Sequence, residues 1–298
     1  MFDDKSWNNK IHQSVYNYLA TRMNTETQLE IGFSPCPNDT FMFFALVNGL
    51  VDTEGLTFKR YIADVEQLNE RVIGNNIAVS KASFRTIANT LRNYNLLQSG
   101  SALGRGCGPL LIGNGPANTN GQEPLTVLIP GENTTANFLL ELYYPFLTDK
   151  TAVLFSEIED MLLDDEADLG VIIHENRFTF KQRGLVEIDD LGKRWEEETQ
   201  LPIPLGGIVV HKSVSQEVQQ KLNRALRRSV EFAFANPEKT MPFVKKHAQA
   251  MDETVMKQHI DLYVNDFSID LGEEGQKAIN ELFRRSNVTT GAKYLVDY

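Results

Sequence analysis

The sequence predicts an α/β protein of two lobes with a cleft between them, and three observations carry that expectation. Short apolar stretches alternate with helical patterns of about ten residues, the mark of α/β units on a mainly parallel sheet. This alternation occurs twice, and an irregular glycine-rich stretch, GRGCGPLLIGNGPANTNG at 104–121, separates the two sets. A stiff return stretch, LPIPLGGIVVHK at 201–212, then precedes a helical tail. Pro202 and Pro204 stiffen the return, and Gly206 and Gly207 permit a turn. Two crossings between two α/β sets imply a hinge.

The elements follow in order. Strand LEIGF at 29–33 leads into helix DTFMFFALVNGL at 39–50. Strand LTFKRYI at 56–62 is followed by helix DVEQLNERVIG at 64–74, and strand IAVSK at 77–81 by helix SFRTIANTLRN at 83–93. The second set reads as strand 125–130, helix 134–146, strand 151–155, helix 157–167 and strand 168–173. Ser156 and Glu159 have the spacing of a capping box. Four further helical patterns cover 215–236, 237–249, 252–266 and 273–287. The expected division is an N-terminal extension at 1–27, a first lobe from 28–115 plus 205–298, and a second lobe at 116–204.

Composition bounds the function. A chain of 298 residues, 42% hydrophobic and 23% charged, is that of an ordinary globular protein with a sizeable core. A net charge of −11 argues against nucleic acid or an anionic membrane surface as partner. Two distant cysteines, Cys36 and Cys107, form neither a disulfide framework nor a metal knuckle. No stretch reaches the about 18 apolar residues of a membrane span. The start of the chain lacks the apolar core of a secretory signal, so a cytoplasmic protein is expected.

In parallel α/β sheets ligands bind beyond the carboxyl ends of strands, and four strand-to-helix junctions stand out. In SPCPNDTF the prolines force an extended, stiff loop, and Asn38 or Asp39 is placed to cap the following helix. AVSKASF sets Lys81, Ala82 and Ser83 at a strand end. IPGENTTANF opens a helix at Thr134 and Thr135. Helix starts lined by hydroxyls suit a carboxylate or phosphate through free N–H groups and the macrodipole. In DLGVIIHENRFTF, His174 ends a buried strand, and a neutral imidazole is suited to moving a proton near neutral pH. The other histidines read as weaker candidates: His12 in the extension, His247 and His259 in surface-helix patterns, and His211 at a turn. No H-E-x-x-H, Walker loop or G-x-S-x-G elbow occurs. Cys36 reads as a small apolar filler. The residues alone leave two classes open, a carboxylate-recognising enzyme that abstracts a proton or a solute-binding protein.

Taken together, SPCPNDTF, KASF, the TTA helix start, IHENRFTF and LPIPLGG resemble the 1,4-dihydroxy-6-naphthoate synthases of the futalosine route to menaquinone. The resemblance implies a two-lobed, type II periplasmic-binding-protein-like fold with no metal and no organic cofactor. It implies a lyase acting on cyclic dehypoxanthine futalosine, with His174 as general base. By the same resemblance Lys81, Ala82, Ser83, Thr134 and Thr135 contact the substrate, whose carboxylate suits the helix starts. Asn38 is added here as a fixed donor from the stiff loop. The chain departs from the pattern at Phe180, where the family often carries tyrosine. Related chorismate dehydratases and solute-binding proteins for a small carboxylate are the alternatives.

Overall fold

The computed structural model describes residues 27–117, 119, 121, 124–248, 252–288 and 293–298. All but the last residue of the expected extension at 1–27 lies outside them. The first set of elements is β1 (Thr27–Phe33), α1 (Pro37–Val47), β2 (Leu56–Ile62), α2 (Val65–Ile73), β3 (Val79–Ser83), α3 (Phe84–Thr90), β4 (Tyr94–Leu96) and β5 (Ala102–Gly104). The second is β6 (Leu110–Gly113), β7 (Thr126–Ile129), α4 (Thr135–Tyr143), β8 (Asp149–Ala152), α5 (Ile158–Leu163), β9 (Leu169–Ile172), α6 (Asn176–Thr179), β10 (Val186–Asp190) and α7 (Leu191–Thr199). Strand β11 (Ile203–His211) returns to the first sheet. Helices α8 (Gln216–Ala235), α9 (Pro237–His247), α10 (Glu253–Tyr263), α11 (Asp266–Ile269) and α12 (Gly272–Arg285) follow.

The first sheet has the order β2-β1-β3-β11-β4, with β5 also paired to β11, and the second β10-β6-β9-β7-β8. Both are mixed rather than mainly parallel. β1 runs parallel to β2 and β3, while β11 lies antiparallel to β3, β4 and β5. In the second sheet β7 is parallel to β8 and β9, and β6 is antiparallel to β9 and β10.

Two expected features are corrected by this pairing. The glycine-rich stretch contains β6, which belongs to the second sheet, so the crossing falls between Gly104 and Leu110 and not at 115/116. The apolar run Leu110–Ile112 had been masked by its flanking glycines. The return stretch is itself a strand: Gly206 and Gly207 face Ser83 and Ala82 across the ladder. A Cβ on Gly206 would lie 2.9 Å from Lys81 Cε and 3.1 Å from Ala82 O. Its glycine serves close approach rather than a turn.

The core follows the layers. Phe33, Phe41, Phe43 and Leu46 pack with Leu222, Leu226 and Val230 of α8 on one face of the first sheet. Phe33 and Phe43 stack with centroids 4.7 Å apart. On the other side Ile87, Leu96, Ile279 and Phe283 continue into Val127, Leu139 and Trp195, joining the two sets in one apolar cluster. Helix starts are fixed locally. Asp64 and Gln67 form the capping box of α2, with Asp64 Oδ1 accepting from Glu66 N at 2.9 Å. The box expected at Ser156 and Glu159 does not form. α5 starts after Glu157 without a side-chain cap, and Glu159 is buried, accepting from Asn176 Nδ2 at 2.8 Å and pairing with Arg183 at 3.0 Å. Pairing with a distant arginine displaces the local cap, because a buried carboxylate needs an opposite charge.

Candidate active site

The ends of β1, β3 and β9 and the start of α4 meet at a cleft of about 640 Å3, part of it open to solvent. Asn38, Lys81, Ala82, Ser83, Thr134, Thr135 and His174 all line it, so the structure brings every singled-out site residue together.

The first-lobe wall is charged, and its charges are paired within the protein. Cys36, not Asn38 or Asp39, is the N-cap residue of α1, with Pro37 at the first helical position. Pro37 has no N–H to cap, and Thr40 N bonds to Cys36 O at 3.0 Å. Asp39 is thereby free to serve Lys81, whose Nζ lies 3.0 Å from Asp39 Oδ1, with both side chains buried. Asp39 Oδ2 accepts from Ser34 N at 3.1 Å and from Ser34 Oγ at 2.8 Å. Lys81 Nζ also reaches Gly100 O at 3.4 Å. Ser83 Oγ accepts from Asn69 Nδ2 at 3.1 Å, which leaves its own hydroxyl hydrogen to donate.

The second-lobe wall is the start of α4. Thr134 caps it, accepting from Asn137 N at 3.1 Å and donating to Gly131 O at 2.8 Å. Thr135 Oγ1 donates across the cleft to Leu205 O at 2.9 Å. Both hydroxyl hydrogens are therefore committed within the protein. The donors this helix start offers a ligand are the first-turn N–H groups, reinforced by the macrodipole. Glu66 clamps the preceding loop, accepting from Asn133 N at 3.0 Å and Nδ2 at 2.7 Å. Gly131, at φ +139°, allows that approach, since a Cβ there would lie 2.5 Å from Glu66 Oε2.

His174 lines the cleft just past the end of β9. It follows β9 in the left-handed region at φ 57°, unusual for a residue with a Cβ. Its carbonyl accepts from Tyr263 OH at 3.4 Å, and its ring meets the edge of Phe155 at 5.0 Å. Its Nε2 is buried with no hydrogen-bond partner among the described residues. Burial holds its pKa down at about 4, against the pull of Asp39, so the ring is a neutral base at neutral pH.

One histidine lies elsewhere than its helical pattern predicts. His259 is fully buried, not on a helix surface, and its ring stacks on His174 at 5.8 Å with 14° between planes. Its Nε2 lies 3.0 Å from Asn38 Oδ1, and its Nδ1 lies 3.7 Å from Glu175 Oε2. Asn38 Nδ2 donates to Asp39 Oδ1 at 3.1 Å. Both ends of the Asn38 amide are thus used inside the protein, and Asn38 holds His259 rather than presenting a free donor. Burial pushes the Glu175 carboxyl up to about 7. The signal for His259 was present: Met256, His259, Ile260 and Tyr263 recur at the spacing of one helix face, and all four are buried. The pattern gives no sign that Tyr263 reaches His174, 89 residues away, or that Asp39 pairs with Lys81.

Three other residues fall outside the chemistry. Arg177 donates to Gly108 O and pairs with Asp190 at 3.3 Å, tying down the crossing between lobes. Phe180 is buried with Leu110, Ile112, Ile158 and Leu162, away from the cleft lining. Cys36 brings a sulfur within 4.8 Å of His174 and Glu175 donor atoms. Burial pushes its thiol well up.

Comparison with known proteins gives the family and the fold. A family model described as menaquinone biosynthesis matches residues 29–287. A protein of Thermus thermophilus named 1,4-dihydroxy-6-naphthoate synthase is 42% identical over 255 residues, covering 86% of this chain and 92% of its own. One of the same name from Streptomyces coelicolor is 40% identical over 273 residues, covering 89% of this chain and 94% of its own. Among solved structures, a protein from Archaeoglobus fulgidus superposes with a TM-score of 0.82 at 31% identity, covering 87% of this chain and 97% of its own. A Candida albicans protein with the generic periplasmic binding protein fold gives 0.65 at 11% identity, covering 90% of this chain and 95% of its own, which speaks to fold alone. The two-lobed architecture is therefore of the periplasmic-binding-protein kind, and the chain belongs to the menaquinone biosynthesis family.

Proposed function

We propose that this protein is a carbon–carbon lyase that converts cyclic dehypoxanthine futalosine to 1,4-dihydroxy-6-naphthoate, with His174 as general base. The observation that carries the assignment of the base is the buried, unpartnered Nε2 of a neutral imidazole on the cleft lining. The C–H bond beside the substrate ketone breaks, its electron pair moves into an enolate, and an N–H bond forms on His174. Loss of the sugar-derived fragment and aromatisation follow, and the new aromatic ring supplies driving force.

Other residues of the same lining support carboxylate recognition. The first-turn N–H groups of α4 at Thr135 and Ala136, the Ser83 hydroxyl and the Lys81 ammonium offer donors to one anion. Ala82, between Lys81 and Ser83 on β3, also lines the cleft. Thr134 and Asn38 act indirectly, the first by capping α4 and the second by orienting His259. These residues need no metal or organic cofactor for the step. A small molecule bearing a carboxylate is the partner this cleft suits, not nucleic acid or a membrane surface. Two buried free thiols and the absence, among the described residues, of a helix long and apolar enough to cross a membrane support a cytoplasmic site of action.

The test is to incubate the purified protein with cyclic dehypoxanthine futalosine and follow 1,4-dihydroxy-6-naphthoate by liquid chromatography with mass detection. Product formation is expected. Turnover of chorismate instead would move the chain to the sister dehydratases, and binding without turnover of either would make it a solute-binding protein.

A further inference from the structure

Two titratable side chains behind His174 have no part in the step just described, yet their placement is specific. Glu175 Oε2 and His259 Nδ1 are both buried, face each other at 3.7 Å and have no hydrogen-bond partner among the described residues. Buried polar atoms are seldom left this way without a use. Asn38 decides the protonation of the pair. The Asp39 carboxylate only accepts, so Asn38 must turn its NH2 toward it and its carbonyl oxygen toward His259 Nε2. That oxygen also only accepts, so His259 Nε2 carries the hydrogen and Nδ1 presents a lone pair to Glu175. A lone pair opposite a carboxylate repels it; opposite a carboxylic acid it accepts a hydrogen bond. The pocket is thus complementary to the protonated form of Glu175.

We propose that Glu175 is the proton store for His174, and that His259, oriented by Asn38, is a positioning residue that holds the stored proton. This rests on the reading of His174 as base. Once His174 has taken the substrate proton, the imidazolium passes it to the Glu175 carboxylate. One N–H bond breaks, one O–H bond forms, and both charges vanish in a site that disfavours an imidazolium. Donor atoms of His174 and Glu175 lie within 4.8 Å of each other, so a small side-chain movement completes the transfer.

The surroundings single out Glu175 for this task. Facing it are Glu159 from α5, His259 and Tyr263 from α10, Cys36 from the loop before α1, and His174 itself. Burial drives the thiol and the phenol upward and the His259 imidazole well below its usual range, so each of these stays neutral near pH 7. Glu159, paired with Arg183 at 3.0 Å, raises the Glu175 carboxyl further. Glu175 alone of this group, with its carboxyl near 7, changes charge around neutrality.

The test is the pH–rate profile of the wild type, Glu175→Gln, Glu175→Asp and His259→Phe with cyclic dehypoxanthine futalosine, alongside calorimetric substrate affinity. For the wild type, kcat should fall on the acid side of a limb near pH 7, where Glu175 can no longer accept a proton. Glu175→Gln should lower kcat on the order of ten-fold or more, abolish that limb and leave affinity within about three-fold. Glu175→Asp, which also serves if the glutamine variant does not fold, should keep the limb at reduced rate. His259→Phe, which retains the ring and removes the lone pair, should move the limb to lower pH. An unchanged limb in Glu175→Gln, or a uniform loss of rate at every pH with the limb in place, would overturn the proposal. A His174→Asn variant that keeps its activity would instead overturn the base assignment, so the two failures are distinguishable.

Discussion

Two adjoining groups of the cleft, linked through Asn38, are built on opposite rules. In the Asp39–Lys81 group the charges are paired, the Asp39 carboxylate receives two Ser34 bonds, and Thr135 and Asn133 are bonded across to the first lobe. In the His174 group, three buried polar atoms, His174 Nε2, Glu175 Oε2 and His259 Nδ1, have no partners among the described residues, and the backbone of His174 is left-handed. Each buried unsatisfied group costs about 1–3 kcal/mol. A fold keeps such a cluster only where its neighbours over-determine it, here Tyr263, Asn38 and the Glu159–Asn176–Arg183 anchor. The satisfied group is preorganised to hold an anion; the unsatisfied group retains the free lone pairs that proton transfer requires.

That contrast can be broken from either side. Lys81→Met should have the largest effect on stability, because it strands the Asp39 carboxylate in the interior. Loss of one partner of a buried pair costs about 3–5 kcal/mol, to be read from urea unfolding, and substrate affinity should fall with it. Replacing Glu175 tests the other group through pH. Its folded pKa is raised from 4.5 to about 7, so its contribution to stability is present below pH 4.5 and is lost as pH rises to 7. His174 is lowered from 6.5 to about 4, so its contribution is present above pH 6.5 and is lost as pH falls to 4. The two slopes oppose each other in the wild type. Glu175→Gln should therefore make stability climb more steeply with pH between 4 and 6.5, by on the order of 3 kcal/mol across the range. A slope equal to wild type would mean that Glu175 is solvated and outside the unsatisfied cluster.

Phe180→Tyr sharpens the boundary of the site. The ring lies in an apolar cluster away from the cleft, so an added hydroxyl should cost about 1–3 kcal/mol of stability and leave KM unchanged. A changed KM would bring this position into contact with substrate. Thr135→Val should be mildest, about 1 kcal/mol of stability with a modest rise in KM, since it removes the hydrogen bond to Leu205 O. Unchanged values for both would show that the cross-cleft bond contributes nothing.

Local signals carried well from sequence to structure, and long-range ones did not. β2 spans Leu56–Ile62, the same residues as its apolar run, and Gly74 ends α2 as expected. The cleft was legible because strand ends and helix starts announce themselves through proline, serine and threonine. The partners were not. His259 and Asn38 are separated by 221 residues, and no local pattern links them. The acidic and basic residues around His259 disguised a buried stripe as a surface helix. Asn38 and Asp39 have the composition of caps, but Lys81 and His259, both remote in sequence, claim their side chains. Gly206 and Gly207 have the composition of a turn, and only the neighbouring strand reveals why a Cβ is excluded.

The most direct test of the division of labour is His174→Asn, with substrate affinity by calorimetry and single-turnover rate measured on the same preparation. The account predicts a dissociation constant within a few-fold of wild type and a rate lower by about 10²–10⁴. A variant that turns over normally, or one that loses binding and rate in equal measure, would contradict it.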